Sequence, residues 1–146
     1  MEKLQIIVER TYDVTPDRLW EAITDPEQMK QWYLPVKEFR PEVGFETRFK
    51  QHSRGRLFPH AWKVTEVIPN QKISYDWRLE GFPGNSRVTF ELIPDGDGTR
   101  VKVTHVGLET FGGDKDPVFS FQNFTEGWNS FIGNRLRSFL EMAPVN

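Results

Sequence analysis

Ile73-Ser74-Tyr75-Asp76-Trp77-Arg78-Leu79 alternates apolar and polar side chains at every step. A strand turns successive side chains to opposite faces, so Ile73, Tyr75, Trp77 and Leu79 share one side of a sheet. The pattern repeats on either side of this stretch. Val88, Phe90 and Leu92 alternate with Thr89 and Glu91, and Val101, Val103 and His105 alternate with Lys102 and Thr104. Upstream, Trp62, Val64, Glu66 and Ile68 alternate with Lys63 and Thr65. One face is apolar and the other polar, so one side of the sheet meets a core and the other meets water.

Short turn signals separate these runs: Pro69-Asn70, Pro83-Gly84-Asn85 and Pro94-Asp95-Gly96-Asp97-Gly98. Connections that short join antiparallel neighbours. Segments 36–40, 44–51, 60–68, 72–79, 86–93 and 99–107 give six strands. The β-branched run Leu4 to Asp13 adds a first, predicting a seven-stranded curved antiparallel meander. Between the first strand and the rest, Thr15-Pro16 and Asp25-Pro26 each pair a capping residue with a proline suited to the first helical turn. Leu19, Trp20 and Ile23 form one apolar stripe and Met29 with Trp32 another, so two short consecutive helices follow the first strand.

The chain closes on a longer amphipathic helix. Phe124, Trp128, Phe131, Ile132, Arg135, Leu136, Phe139 and Leu140 form its broad stripe, with Gly133 inside it. Asn123 with Glu126 matches a capping box, with Thr125 as a competing cap. Residues 107–123 carry Gly112-Gly113 and Pro117 and read as an irregular loop. Its Phe111, Phe119 and Phe121 either line a lid or plug the base of the core. The fold class is therefore α+β, in one domain covering residues 1–146, with the sheet gripping the C-terminal helix.

A strongly curved sheet cannot touch a straight helix along its whole length, and a gap between them suits a small molecule. The residues expected to line it are Trp62, Trp77, Phe90, His105, Trp128, Ile132 and Arg135. The alternative is that the rings interdigitate and fill the space. Aromatic residues make up 14% of the chain, which supplies rings for either outcome.

These elements in this order also carry a family resemblance. They are Thr15-Pro16-Asp17-Arg18-Leu19-Trp20 through Asp25-Pro26 and Trp32, then Ile73 to Trp77, Ser86 to Leu92, Gly98 to His105, and the Gly127-Trp128 helix. Together they resemble the domain related to the activators of heat-shock-protein-90 ATPase, within the START-like (SRPBCC, helix-grip, Bet v-like) superfamily. The resemblance spans about Glu9 to Glu141. It implies the helix-grip fold, and it implies a cavity that in other members holds lipids, sterols, hormones or polyketides, with cyclisation in some. It also implies a possible chaperone partner and a link to stress response. The co-chaperones use a further N-terminal domain, for which 146 residues leave no room.

Other functions lack a sequence basis. A formal net charge of −2 is not the electrostatic footprint of a nucleic-acid binder. No apolar run is long enough to insert in a membrane, and Met1 to Gln5 contains no signal-like apolar segment, so the expected location is cytoplasmic. The chain has no cysteine, and His52, His60 and His105 lack metal-ligand spacing, with Arg54-Gly55-Arg56 set to repel a cation; no metal and no cofactor is expected. No nucleophile elbow, GxGxxG or P-loop occurs, so no catalytic residue is assigned. His105 either orients a ligand head or acts as a base, or is simply hydrogen-bonded in the core. His105 with Glu66 is the one acid–base pair an enzyme could use. Glu66 and Arg135 either pair with each other, or Arg135 meets a ligand carboxylate, or both reach water. An exposed edge strand would allow a dimer as readily as a monomer.

Overall fold

In the computed structural model, which describes residues 3–53 and 55–142, the two proline-led helices form where the sequence places them. Helix α1 spans Pro16–Thr24 and α2 spans Pro26–Trp32. The Asp25 carboxylate accepts the Glu27 N–H at 3.1 Å and caps α2, whereas Thr15 makes no side-chain cap bond. Met1, Glu2 and Arg54, which entered the readings of the N-terminus and of the 54–56 turn, lie outside the described residues.

Among the described residues the sheet has six strands: β1 (Gln5–Tyr12), β2 (Glu46–Ser53), β3 (Arg56–Ile68), β4 (Lys72–Leu79), β5 (Ser86–Asp95) and β6 (Gly98–Val106). Their order is β1-β6-β5-β4-β3-β2, antiparallel throughout. A strand was expected at 36–40 and none forms. Pro35 has no N–H to give a ladder, and Val36 donates to the Leu34 carbonyl at 2.7 Å in a tight turn. Val36 and Phe39 are then buried at a spacing of three while Lys37 and Glu38 are exposed, which is not the alternation of a regular strand.

The inner face follows the alternation except at one point. The register steps from Val64↔Tyr75 to Glu66↔Ser74, so Thr65 is an extra residue and β3 bulges there. Beyond the bulge the faces exchange. Glu66 turns to solvent, where it meets Lys72 at 3.2 Å, and Ile68 becomes exposed, while Val67 packs against the core.

The C-terminal helix runs unbroken through α3 (Phe121–Trp128), a π-helical stretch (Asn129–Arg135) and α4 (Leu136–Met142). Its cap is Ser120, whose Oγ accepts the Asn123 N–H at 3.1 Å, so the helix starts ahead of the expected Asn123 box. Inside the wider π turn, the Ile132 carbonyl accepts the Tyr12 hydroxyl from the end of β1. Trp128, Ile132 and Leu136 are the buried positions of the stripe. Residues 107–120 are more ordered than expected, with 3₁₀ turns at Leu108–Phe111 and Pro117–Phe119. Phe111 and Phe119 are buried and Phe121 is exposed, so two of the three loop rings plug the core. Gly84 permits this packing: its φ is +108° and a Cβ there would stand 2.6 Å from the Phe111 ring.

Trp32, Trp62, Tyr75, Phe90 and Phe111 are the largest fully buried side chains. At about 25 cal/mol per Å² and 150–250 Å² per ring, each contributes about 4–6 kcal/mol before ordering entropy is subtracted. No helix among the described residues is long and apolar enough to cross a membrane.

Candidate functional site

Opposite α3, the inner face of the sheet carries a hydrogen-bonded chain of three side chains that ends on a backbone carbonyl. The Trp128 indole N–H donates to His105 Nδ1 at 2.9 Å. An imidazole nitrogen that accepts carries no proton, so the neutral ring holds its hydrogen on Nε2 and donates it to Ser86 Oγ at 2.8 Å. Ser86 in turn donates to the Trp77 carbonyl at 3.1 Å. The helix is thus tied through β6 and β5 to β4. His105 is fully buried, and burial pushes its pKa down to about 3, which keeps the ring neutral. Both of its nitrogens are committed to protein groups, so it reads as a core histidine, bonded mainly to side chains.

Beside this chain the helix parts from the sheet and leaves a cleft of about 350 Å³. Gln51 and Ser53 of β2, Phe58 and His60 of β3, and Trp77 and Leu79 of β4 form one wall. The facing wall is the helix surface of Asn123, Phe124, Glu126, Gly127, Trp128 and Phe131. Leu34, Val118 and Phe119 close the ends. The gap has a local cause: a Cβ on Gly127 would meet nothing within 4 Å, so the helix presents bare backbone to the space. Phe58, Phe82 and Phe119 pack with centroids 5.4–6.1 Å apart and seal one end. Arg56 lies over Phe58 and Phe82 and grips Asp116 with two bonds of 2.9 and 3.2 Å, fastening the 3₁₀ turn in place.

His60 is the polar group deepest in this wall, only 3% exposed. Its ring stacks on Phe49 at 4.8 Å and meets Trp77 edge-on at 5.3 Å. Nδ1 lies 3.0 Å from the Phe58 carbonyl and must donate to it, so the neutral ring carries a bare lone pair on Nε2. Burial lowers the pKa of His60 to about 4, against the raising effect of that bond.

Of the residues expected to line a cavity, Trp77 and Trp128 do. Trp62, Phe90 and Ile132 are filled core, 0–2% exposed, and His105 is held in the chain above. Arg135 is exposed, its guanidinium 5.5 Å from the Phe131 ring centre, and it does not meet Glu66. Glu66 and His105 face opposite sides of the sheet, so that acid–base pair does not form. The ring-filled alternative therefore holds for the centre, while the gap lies toward the start of the helix. His60 and Gly127 were missed as site residues, although both had a signal. His60 alternates in phase with Trp62, and Gly127 interrupts the helix next to its tryptophan. Among the described residues, no three histidine, aspartate or glutamate side chains gather as a metal site.

Several buried donors lack full pairing, the Thr65 hydroxyl at the bulge among them. Trp62 Nε1 has no partner among the described residues, and Tyr33 and Tyr75 share a single bond of 2.6 Å between their hydroxyls. Burial raises the pKa of both phenols.

Comparison with solved structures gives the same architecture. Protein MLL2253 from Mesorhizobium loti is 28% identical, with a TM-score of 0.78 over 97% of this chain and 100% of that one. Protein CV1439 from Chromobacterium violaceum is 23% identical, with a TM-score of 0.80 over 95% and 98%. The Aha1 dimer from Colwellia psychrerythraea is 20% identical, with a TM-score of 0.72 over 95% and 97%; it and CV1439 speak to the fold alone. No curated protein matches the chain. The family model described as Activator of Hsp90 ATPase homolog 1-like protein matches residues 13–141, from α1 and α2 through β2–β6 to the C-terminal helix. The chain belongs to that family.

Proposed function

We propose that the chain binds a small, mainly aromatic molecule in the cleft between β2–β4 and the start of the C-terminal helix. The observation that carries this reading is the cleft itself. Its volume of about 350 Å³ lies within the range typical of small-molecule sites, and its walls are rings with a few polar groups among them. Trp77 and Trp128 form its apolar back. Members of the wider superfamily use the corresponding space for ligands, which supports the reading by analogy of fold.

The test is calorimetric titration with naphthalene- and flavonoid-sized compounds, on the wild type and on Gly127→Leu. The leucine side chain projects into open space, so the variant folds with its cleft occupied. Saturable binding that the substitution weakens at least about tenfold, the equivalent of 1.4 kcal/mol, supports the site. Binding that survives Gly127→Leu unchanged places the ligand elsewhere and refutes it.

A second reading is favoured by the family description: a cytoplasmic partner of a chaperone, acting through its surface. Ile7 on the edge strand β1 and Val106 beside it are exposed on the outer face and offer an apolar patch for such a contact. Co-sedimentation with the chaperone that Ile7→Lys abolishes would support it, and no co-sedimentation of the wild type would end it.

A further inference from the structure

We infer that the cleft selects ligands that donate hydrogen bonds, a phenol or an aromatic amine in preference to a carboxylate, with His60 Nε2 as the inner anchor. The inference rests on the cleft reading above and concerns the polarity of its walls. Of the polar groups that line the space, two from different places in the fold, His60 and Glu126, can only accept. His60 spends its one N–H on the Phe58 carbonyl at 3.0 Å, which leaves Nε2 a lone pair. Asn123 gives one of its two amide N–H groups to the Val118 carbonyl at 2.7 Å, which fixes the side chain and leaves Oδ1 to accept and the second N–H to give. Glu126 at the rim is a carboxylate and accepts only. Gln51 and Ser53 can give or take a hydrogen bond, so they do not reverse this bias. No lysine or arginine occurs among the described residues that line the cleft.

The consequence for a ligand is directional. A phenolic O–H or an aromatic N–H reaching the back wall would satisfy His60 while its ring lies against Trp77 and Phe58. A carboxylate in the same place would set lone pairs against lone pairs and bury a charge with no cation to meet it. An ether of the same shape would fill the cleft and leave the imidazole acceptor without a donor. The cost of such a mismatch is that of an unmade bond to a buried group.

The probes are 2-naphthol, 2-methoxynaphthalene and 2-naphthoate, titrated calorimetrically at one pH and ionic strength against the wild type, His60→Phe and Gly127→Leu. The expected result is that 2-naphthol binds at least about tenfold more tightly than either other compound, which corresponds to one well-made hydrogen bond. His60→Phe should bring the alcohol and the ether to within about threefold of one another, since only the donor loses a partner. If the ether or the carboxylate equals the alcohol in the wild type, and Gly127→Leu weakens all three, the cleft reading stands and the acceptor inference falls. If none of the three binds, both fall together. Should His60→Phe fail to fold, the ¹⁵N resonance of His60 Nε2 in the wild type gives the same answer. It shifts with 2-naphthol and holds with the ether if the inference is right, and moves equally with both if it is wrong.

Discussion

Acidification from pH 7 to 4.5 should strip this protein of stability through its two buried histidines. His105 and His60 are buried and neutral, with pKa values lowered from 6.5 to about 3 and about 4. In the unfolded chain both return to 6.5 and take up a proton as the pH falls through that value. The unfolded state then binds more protons than the folded one, so stability is full above pH 6.5 and declines below it. Each imidazole contributes a slope of up to about 1.4 kcal/mol per pH unit, so the pair gives about 2.7. Over the two units from pH 6.5 to 4.5 the loss is about 5 kcal/mol, set against a total of about 5–15 for a domain. The carboxylates held below their ordinary values act at the low end of this interval and beneath it. Asp17, Glu109 and Asp116 have pKa values lowered below 3.8 or 4.5, so any stabilisation from them fades there. The assay is urea unfolding followed by circular dichroism at half-unit steps of pH, extrapolated to water at constant salt. His60→Phe should halve the slope to about 1.4 kcal/mol per unit, because one of two titrating groups is gone. A wild-type slope under about 1 kcal/mol per unit would refute the reasoning, since at least one ring would then be reachable by protons in the folded state.

Two further outcomes follow from the packing. Tyr33→Phe should cost about 1–3 kcal/mol by leaving the Tyr75 hydroxyl buried without its partner, and the Tyr33→Phe/Tyr75→Phe double variant should cost less than the sum of the two singles by about 1 kcal/mol or more. Additivity within about 0.5 kcal/mol in urea unfolding would show that the hydroxyls are not coupled. Gly84→Ala should lower stability by about 2 kcal/mol or more, through its positive φ and the overlap with Phe111, and Phe111→Leu should recover part of that loss. An unchanged urea midpoint would mean that the 107–120 segment does not rest against this turn as described.

The parts of the fold that were legible in the sequence are those written as period and punctuation. The alternation through Ile73–Leu79, Val88–Leu92 and Val101–His105 placed the inner face, and Pro16 and Pro26 placed the two short helices. What escaped was set by single residues whose effect depends on their neighbours. Thr65 looks like any outward strand residue, yet as a bulge it moves Glu66 and Ile68 to the opposite face. Ser120, Asn123 and Thr125 can all cap a helix, and the choice among them falls to the 3₁₀ turn that delivers the chain to Ser120. Segment 36–40 carries apolar residues that a strand would also use, but Pro35 and the Val36 turn decide against it. For the site, the aromatic character was legible and its position was not. Where the space opens depends on the helix surface at Gly127 and on which rings interlock, and neither is encoded as a pattern.

The crowding of rings around the hydrogen-bonded chain has an optical consequence. Trp62 and Trp77 lie 5.2 Å apart, Trp77 and Trp128 6.1 Å, and Trp32 stacks on Tyr33, itself 5.7 Å from Trp128. At such separations an excited indole passes its energy to a neighbour faster than it emits. Light absorbed by any of the four therefore drains toward whichever ring lies lowest in energy, and emission reports that ring's surroundings. A molecule settling against Trp77 or Trp128 would dim or shift light first captured by Trp32 and Trp62, which it never touches.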